Sequence, residues 1–275
     1  MSQTGKPVRL IALDLDGTLL RSDSSISERA LRAIGEARAR GVKVTVATGR
    51  MFATSVGYVK EIGVDIPFVT SQGAMIRTVD GKIISHDPVP SEMARQVVDY
   101  ALTHGHHVNV YVDDLVYVQK DGKIVQEYSA KFSYLYQVCD LLTLLEDRVP
   151  TKVLILEDPA VMPALQASLN QLVEGKLHMV LSEPSFLEIN HKDINKWKSV
   201  ETIGGMYGIA GDEIMAIGDS LNDLEMVRDA GWGVAMGNAM EEVKRSARLL
   251  TESNDQDGAA KAIERWALNR DIAVT

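Results

Sequence analysis

The sequence predicts an α/β protein in which a doubly wound parallel sheet carries a second, inserted α+β domain. Three observations predict it: apolar runs alternate with helical segments at both ends of the chain, hairpin patterns interrupt this alternation in the middle, and polar residues end several of the runs. At 275 residues the chain is longer than one hydrophobic core usually organises. We therefore expect one core built from residues 1–86 and 188–275, and an inserted domain formed by residues 87–187.

The N-terminal part of the core is predicted to be a strand, a helix and a second strand. The run 8–15 is apolar and ends in acidic residues, as does a buried strand whose tip faces a ligand crevice. A helix follows, because Ser27 can cap its N-terminus, apolar residues recur at helical spacing and Gly41 suits its end. The segment 42–50 then predicts a second strand that ends at Thr48, with a right-handed crossover between the two strands.

The remaining elements follow from the same patterns. A helix near 51–62 and a strand near 67–71 extend the parallel part. Asp80 and Asp121, each followed by glycine, lie between alternating runs and predict two β-hairpins. Hairpin and helical patterns are mixed throughout 87–187, which is typical of an α+β domain. After it, the alternation is predicted to continue as helix, strand, helix, strand and helix, at 196–207, 213–219, 221–230, 232–237 and 257–268.

Composition and charge limit the classes of function. The formal net charge is −9, from 29 Lys and Arg against 38 Asp and Glu, and a negative chain is poorly suited to bind nucleic acid. The single cysteine, Cys139, excludes an intramolecular disulfide and a zinc site built on paired cysteines. The N-terminal segment lacks the apolar stretch of a signal peptide, and no apolar run reaches membrane-spanning length. We therefore expect a cytoplasmic protein with neither a nucleic-acid nor a membrane partner; the sequence leaves its oligomeric state undetermined.

Three strand ends carry chemically reactive residues, and a doubly wound sheet binds ligands beyond the carboxyl ends of its strands. Each motif alone has an ordinary explanation, such as solvated acids in a turn or a helix N-cap. A calcium loop is excluded at the first motif, because the position that requires glutamate holds Ser25. The convergence of all three indicates one functional site. The motifs are Asp14-Leu15-Asp16-Gly17-Thr18, Thr48-Gly49-Arg50 and Gly218-Asp219-Ser220-Leu221-Asn222-Asp223.

Together with Lys196, these motifs resemble the motif series of the haloacid dehalogenase superfamily of phosphotransferases. The inserted domain and residues 234–263 resemble more narrowly its Cof-type sugar-phosphatase branch, whose cap follows the third core strand. The resemblance covers essentially the whole chain. It implies a Rossmann-like core and a Mg²⁺-dependent phosphatase, a phosphoric monoester hydrolase that acts on small phosphorylated metabolites such as sugar phosphates or phosphorylated cofactors.

The chemistry of phosphate ester hydrolysis agrees with these residue types. Asp14 can act as the nucleophile and form an aspartyl-phosphate. Asp16, two residues further along an extended chain, can protonate the leaving oxygen and then activate water. Paired carboxylates repel each other without a cation, and oxygen ligands suit Mg²⁺. Asp14 and Asp219 are the candidate side-chain ligands, and the resemblance adds the backbone carbonyl of Asp16.

The resemblance also implies which groups bind the phosphate. Asn222 can donate to a phosphoryl oxygen, Asp223 can orient the cluster from behind it, and Arg50 is either a further anchor or the partner of a neighbouring acid. Two positions depart from the family pattern: Trp197 stands where glycine usually follows the lysine, and Gln72 where asparagine usually precedes Gly-Ala. The other implied phosphate-binding groups are the backbone of Leu15, the Thr48 hydroxyl, the Gly49 amide and the Lys196 ammonium.

Two alternatives remain open at this point. A phosphomutase or another phosphotransferase of the same superfamily would transfer phosphate rather than release it, whereas a dehalogenase is disfavoured because it needs no proton donor at Asp16. A non-catalytic phospho-aspartate or metabolite-sensing module would bind without turnover. For an enzyme of this kind, the resemblance implies that substrate specificity is set by the cap surface that faces the crevice.

Overall fold

A computed structural model of the protein describes residues 6–270. None of the helices within this range combines the length and the hydrophobicity that crossing a lipid bilayer requires. The strands are β1 (Leu10–Leu13), β2 (Lys43–Val46), β3 (Phe68–Thr70), β4 (Met75–Arg77), β5 (Ile83–His86), β6 (His107–Val112), β7 (Leu115–Val118), β8 (Tyr136–Val138), β9 (Lys152–Leu156), β10 (Leu177–Glu183), β11 (Phe186–His191), β12 (Ile214–Gly218), β13 (Trp232–Ala235) and β14 (Leu249–Leu250). The helices are α1 (Glu28–Ala39), α2 (Phe52–Glu61), α3 (Ser91–Thr103), α4 (Lys123–Phe132), α5 (Leu141–Asp147), α6 (Met162–Leu172), α7 (Lys196–Met206), α8 (Leu224–Asp229), α9 (Glu241–Ser246) and α10 (Gly258–Ala262), which continues into a π-helical turn (Ile263–Ala267).

The core sheet is parallel and has the strand order β14-β13-β12-β1-β2. A parallel bridge between Ala47 and Val69 attaches β3 to the β2 edge, where β3, β4 and β5 form an antiparallel sheet. The central strands β1 and β12 are buried along their whole length, as is typical of parallel strands covered on both faces. Because they run in the same direction, their carboxyl ends bring Asp14 and Asp219 to one edge of the sheet.

The cap contains a separate six-stranded sheet, of order β10-β11-β9-β6-β7-β8, combined with α3, α4, α5 and α6. Its strands pair antiparallel except for β7 with β8. Side chains alternate between the two faces of the strands. Val110 and Val153 pack in the hydrophobic cluster that includes α3, α5 and α6, whereas Tyr111 and Leu154 pack in another cluster, with Tyr128 of α4 and Met51 of the core. One face of the cap sheet is therefore turned toward the core.

The predicted fold class, a doubly wound α/β core with an inserted α+β domain, is confirmed by the parallel core sheet and the separate sheet of the cap. The segment that builds the cap sheet differs from the prediction at its end. Strand β11 runs to His191 and stays paired with β10 up to that residue, so it crosses the boundary predicted at residue 187.

The β-hairpin predicted at Asp121 is wrong. The segment after Gly122 forms helix α4 instead of a strand. Its buried residues, Val125 and Tyr128, lie three positions apart, which is helical spacing. The five residues that predicted a strand were too few to distinguish alternation from this spacing. The hairpin predicted at Asp80 does form, between β4 and β5.

Candidate active site

A cavity of about 230 Å³ lies between the carboxyl edge of the core sheet and the cap. The three polar motifs of the sequence all contribute to its core side, and aromatic and polar side chains form its cap side. The lining residues of the core are Asp14, Asp16, Gly17, Gly49, Arg50, Met51, Thr54, Gln72, Asp219, Ser220 and Asn222. Those of the cap are Tyr111, Tyr128, Phe132, Tyr134, Lys152, Ser182, Glu183, Phe186 and Glu188.

Lys196 is buried between two carboxylates at the core side of this cavity. Its Nζ donates to Asp14 Oδ1 at 2.7 Å and to Asp223 Oδ1 at 2.6 Å. Asn195 caps α7 by accepting from the Lys198 amide, which makes Lys196 the first residue of the helix. Burial alone would lower the pKa of Lys196, but the charges of Asp14 and Asp223 outweigh it and raise this pKa above its ordinary value. Lys196 is therefore a fixed positive charge beside the end of β1.

Asp223 organises the loop that follows β12. Its Oδ2 accepts from the Asp219 amide at 3.0 Å and from the Ser220 amide at 3.1 Å, while its Oδ1 accepts from Lys196. A Cβ at Gly218 would lie 2.5 Å from the Asp223 Cβ, so only glycine allows this close approach. Asp223 thus fixes both the lysine and the loop that carries Asp219.

Asp14, Asp219 and Asp223 bring carboxylate oxygens within 4.8 Å of one another. Burial, together with the charge of Asp223, raises the pKa of Asp14 well above its ordinary value and that of Asp219 to about 7, although Lys196 opposes both shifts. Three carboxylates share one ammonium here, so the cluster fits a hard cation such as Mg²⁺, which prefers oxygen ligands. Asp14 and Asp219 are the side chains suited to hold it. Asp223 is tied to the Lys196 ammonium and to two backbone amides, whereas the oxygens of Asp219 accept only from the hydroxyls of Thr18 and Ser220, which can rotate.

Asp16 lies apart from this cluster and pairs with Arg50. The guanidinium donates through Nε to Asp16 Oδ2 at 2.8 Å and through Nη2 to Oδ1 at 2.6 Å. The Asp16 side chain is 44% exposed, whereas that of Arg50 is 9% exposed and lies 5.6 Å from the centre of the Phe132 ring in the cap. Of the two roles that the sequence left open for Arg50, the structure contains the ion pair with a neighbouring acid.

The residues Thr48, Gly49 and Asn222 all contact Gln72. The Gln72 amide donates to the Thr48 carbonyl at 3.1 Å, and Asn222 Nδ2 donates to Gln72 Oε1 at 3.0 Å. A Cβ at Gly49 would lie 2.3 Å from Gln72 Nε2, so the glutamine side chain lies directly against this glycine. Within residues 6–270, the buried atoms Gln72 Nε2 and Asn222 Oδ1 have no hydrogen-bond partner. An amide pair with unused hydrogen-bonding capacity therefore borders the cavity.

Three further positions expected from the sequence lie behind the cavity wall. The Leu15 side chain is fully buried, so only its backbone could meet a ligand. The Thr48 hydroxyl is buried and accepts from the Arg50 amide at 3.1 Å. Trp197 packs into the hydrophobic core beside Gly211, so α7 forms with tryptophan at the position where the family pattern has glycine.

Sequence reasoning did not identify the cap residues that line the cavity. Two of them, Lys152 and Glu188, form a buried ion pair on the face of the cap sheet that is turned toward the core. A signal for one of them was present in the sequence. Glu188 lies between Leu187 and Ile189 in an apolar strand, and a carboxylate in such a place requires a partner.

Comparisons with known proteins find similarity over most of the chain. A family model described as haloacid dehalogenase-like hydrolase matches residues 11–263. The 5-amino-6-(5-phospho-D-ribitylamino)uracil phosphatase of Bacillus subtilis is 33% identical over 264 residues, which cover 94% of this chain and 97% of that protein. The HMP-PP phosphatase of Escherichia fergusonii is 27% identical over 236 residues, 86% of each protein. The crystal structure of a haloacid dehalogenase-like hydrolase from Bacteroides thetaiotaomicron has a TM-score of 0.83 and 31% identity, covering 94% of this chain and 99% of that one. The resemblance to the Cof-type branch is thereby confirmed, and the chain belongs to the family of haloacid dehalogenase-like hydrolases.

Proposed function

We propose that this protein is a Mg²⁺-dependent phosphatase that hydrolyses small phosphorylated metabolites through an aspartyl-phosphate at Asp14. The observation that carries the proposal is the geometry of Asp14: its Oδ1 is fixed by Lys196 at 2.7 Å, which leaves Oδ2 for attack on a phosphoryl group in the cavity. The names of two relatives support the proposal, because both are phosphatases of small phosphorylated compounds.

A nucleophilic carboxylate must approach a phosphate dianion, so the site has to supply positive charge and hydrogen-bond donors. Lys196 supplies a buried ammonium beside Asp14. The Gly49 amide and the amide pair of Gln72 and Asn222 border the same cavity and can donate to phosphoryl oxygens. Mg²⁺, when held by Asp14, Asp219 and the carbonyl of Asp16, would neutralise further charge on the phosphoryl group. These groups meet the local need for positive potential in a chain whose net charge is −9.

Asp16 is suited to protonate the leaving oxygen, since it lines the cavity at its exposed side. Both of its oxygens accept hydrogen bonds from Arg50 here, so proton transfer requires this pair to open. A phosphoryl group can open it, because guanidinium binds phosphate oxygens in the same two-pronged geometry. Arg50 would then anchor the substrate while Asp16 faces the leaving group.

The proposal is tested by measuring phosphate release from a panel of sugar phosphates, phosphorylated cofactors and nucleotides, with Mg²⁺ and with EDTA. We expect release that requires Mg²⁺. The Asp16→Asn variant should be slower by about a hundredfold for alkyl phosphates and less affected for p-nitrophenyl phosphate, whose leaving group needs little protonation. Asp99→Asn, an exposed aspartate on α3, serves as the matched control and should keep the wild-type rate.

The other outcomes distinguish the alternatives. Absence of phosphate release from every compound, in a protein that is folded, would contradict the proposed function. Transfer of the phosphoryl group to a second substrate hydroxyl without free phosphate would indicate a phosphomutase. A phosphoprotein that persists for hours after treatment with acetyl phosphate would indicate the phospho-aspartate module.

A further inference from the structure

We infer that Lys152 and Glu188 form a leaving-group subsite in the cap, one that selects an uncharged leaving group with a hydroxyl or amine donor and rejects a second anionic group. The inference rests on the proposed phosphatase function and narrows its class of substrates. Both residues line the cavity from the cap side, opposite the acidic cluster around Asp14.

The pair bridges the cap and the core. Lys152 at the start of β9 donates through Nζ to Glu188 Oε2 of β11 at 3.0 Å, and both side chains are almost completely buried. The same Nζ donates to the backbone carbonyl of Gly49 at 2.8 Å. Because Gly49 belongs to the loop that is expected to bind phosphate, the subsite is held beside the reacting group.

The hydrogen-bonding capacity of the pair is unequal. An ammonium has three donors, and two of those on Lys152 are used while its Nζ also lies 4.4 Å from the centre of the Tyr111 ring. The Glu188 carboxylate offers about four acceptor positions. It accepts from Lys152 at Oε2 and from Ser182 Oγ at Oε1, 3.1 Å away. The unused hydrogen-bonding positions at this end of the cavity are therefore acceptor positions on Glu188. A ligand matches them with a donor, such as a hydroxyl or an amine.

The charge of the pair explains why a second anionic group on the ligand is rejected. A buried ion pair is weak evidence for stabilisation, because apolar residues of similar size often stabilise a fold equally well. Here the ammonium of Lys152 cancels the charge of Glu188, so the subsite does not repel the phosphoryl group. A second anion on the leaving group would meet the carboxylate of Glu188, since Lys152 is already engaged. Both the pair and Asp14 line one cavity of about 230 Å³, so the leaving group of an ester bound at Asp14 lies in the space that the pair borders.

The test compares glycerol 3-phosphate with 3-phosphoglycerate. Both are three-carbon phosphate esters, but the first ends in a hydroxymethyl group and the second in a carboxylate. For wild type, kcat/KM should be higher for glycerol 3-phosphate by about tenfold or more. Glu188→Gln keeps the size of the side chain but removes its charge and frees Lys152 to pair with an anion. The ratio should therefore shift by about tenfold or more toward 3-phosphoglycerate.

Binding provides a readout that does not depend on turnover. The thermal stabilisation by each compound is measured in the Asp14→Asn protein, with Glu or Gln at position 188. A binding preference that shifts with Glu188→Gln while wild type releases no phosphate would uphold the subsite and contradict the proposed function. Turnover in which Glu188→Gln leaves the ratio of the two compounds within about threefold of wild type would overturn the subsite.

A matched control is Glu157→Gln, because Glu157 is a cap glutamate paired with His106 and it does not line the catalytic cavity. It should leave the ratio unchanged; an equal shift in this variant would also overturn the inference. If Glu188→Gln fails to fold, the double variant Lys152→Met/Glu188→Leu removes the pair without leaving an unpaired buried charge. In that protein the two esters should differ by less than about threefold, and a preserved preference would contradict the subsite.

Discussion

Replacing Lys196 with methionine would leave two carboxylates in the core without their ammonium. The lysine is 1% exposed and bonds to Asp14 at 2.7 Å and to Asp223 at 2.6 Å. Removing one partner of a buried ion pair costs about 3–5 kcal/mol, because the other charge stays buried and unpaired. Since Lys196 serves two carboxylates that are both buried, we expect Lys196→Met to lower the free energy of unfolding of the metal-free protein by about 4–5 kcal/mol near neutral pH.

The loss should depend on pH in a defined direction. Burial and the charge of Asp223 raise the pKa of Asp14 in the folded state, and Lys196 opposes this shift. Without the lysine the folded-state pKa of Asp14 rises further above its unfolded value. The cost of the ionised carboxylate is therefore present at neutral pH and is lost as the pH falls toward the ordinary pKa of an aspartate, 3.8. The deficit of Lys196→Met should therefore shrink between pH 7.5 and pH 5.

The assay is urea unfolding in EDTA at these two pH values, with wild type, Lys196→Met and Lys198→Met. Lys198 lies in the same helix but is exposed, and its replacement should change the free energy of unfolding by less than about 0.5 kcal/mol. A Lys196→Met protein as stable as wild type at pH 7.5 would refute the reasoning, and so would a deficit that grows as the pH falls.

Three further outcomes are expected. Because burial raises the pKa of Asp219 to about 7, protons compete with Mg²⁺ below this pH, and the affinity of the protein for Mg²⁺ in calorimetric titration should fall about tenfold per pH unit there. An affinity for Mg²⁺ that does not change with pH would contradict the assignment of Asp219 as a ligand. Gln72→Met removes a buried amide donor that has no partner among residues 6–270 and should weaken orthophosphate binding by about tenfold, whereas Gln126→Met, at an exposed position, should leave it unchanged. Equal affinity for orthophosphate in both variants would exclude a phosphate contact of Gln72. Gly17 has a φ of 76°, and a Cβ there would lie 2.6 Å from Asp219 Oδ2, so Gly17→Ala should lower the free energy of unfolding by about 1–3 kcal/mol in urea; unchanged stability would show that the loop adapts without strain.

The core could be predicted from the sequence because its strands are continuous apolar runs that end in polar residues. In a parallel sheet the direction of the strands alone brings the ends of β1 and β12 together, so Asp14 and Asp219 could be assigned to one site without knowledge of side-chain packing. Lys196 could be chosen among three nearby lysines only through the family pattern. The structure shows a physical difference: Lys196 is buried, whereas Lys192 and Lys198 are exposed.

The cap was less accessible to sequence reasoning, because the neighbours of an antiparallel strand depend on register and strand order. Nothing local in the sequence indicates that β9 lies between β11 and β6, yet this order brings Lys152 beside Glu188. The pairing of Asp16 with Arg50 depends in the same way on two motifs 34 residues apart. Helix α4 differs from the predicted strand because five residues do not distinguish strand alternation from helical spacing.

The most direct measurement is phosphate release by wild type and Asp14→Asn side by side, at saturating Mg²⁺ with p-nitrophenyl phosphate. Asparagine keeps the shape of the side chain and cannot form the acyl phosphate. Unfolding of both proteins in urea shows whether the variant is folded, and removal of a buried charge should leave it at least as stable as wild type in EDTA. We expect Mg²⁺-dependent release by wild type and none above background by Asp14→Asn. Release by Asp14→Asn at the wild-type rate would contradict the assignment of Asp14 as the nucleophile.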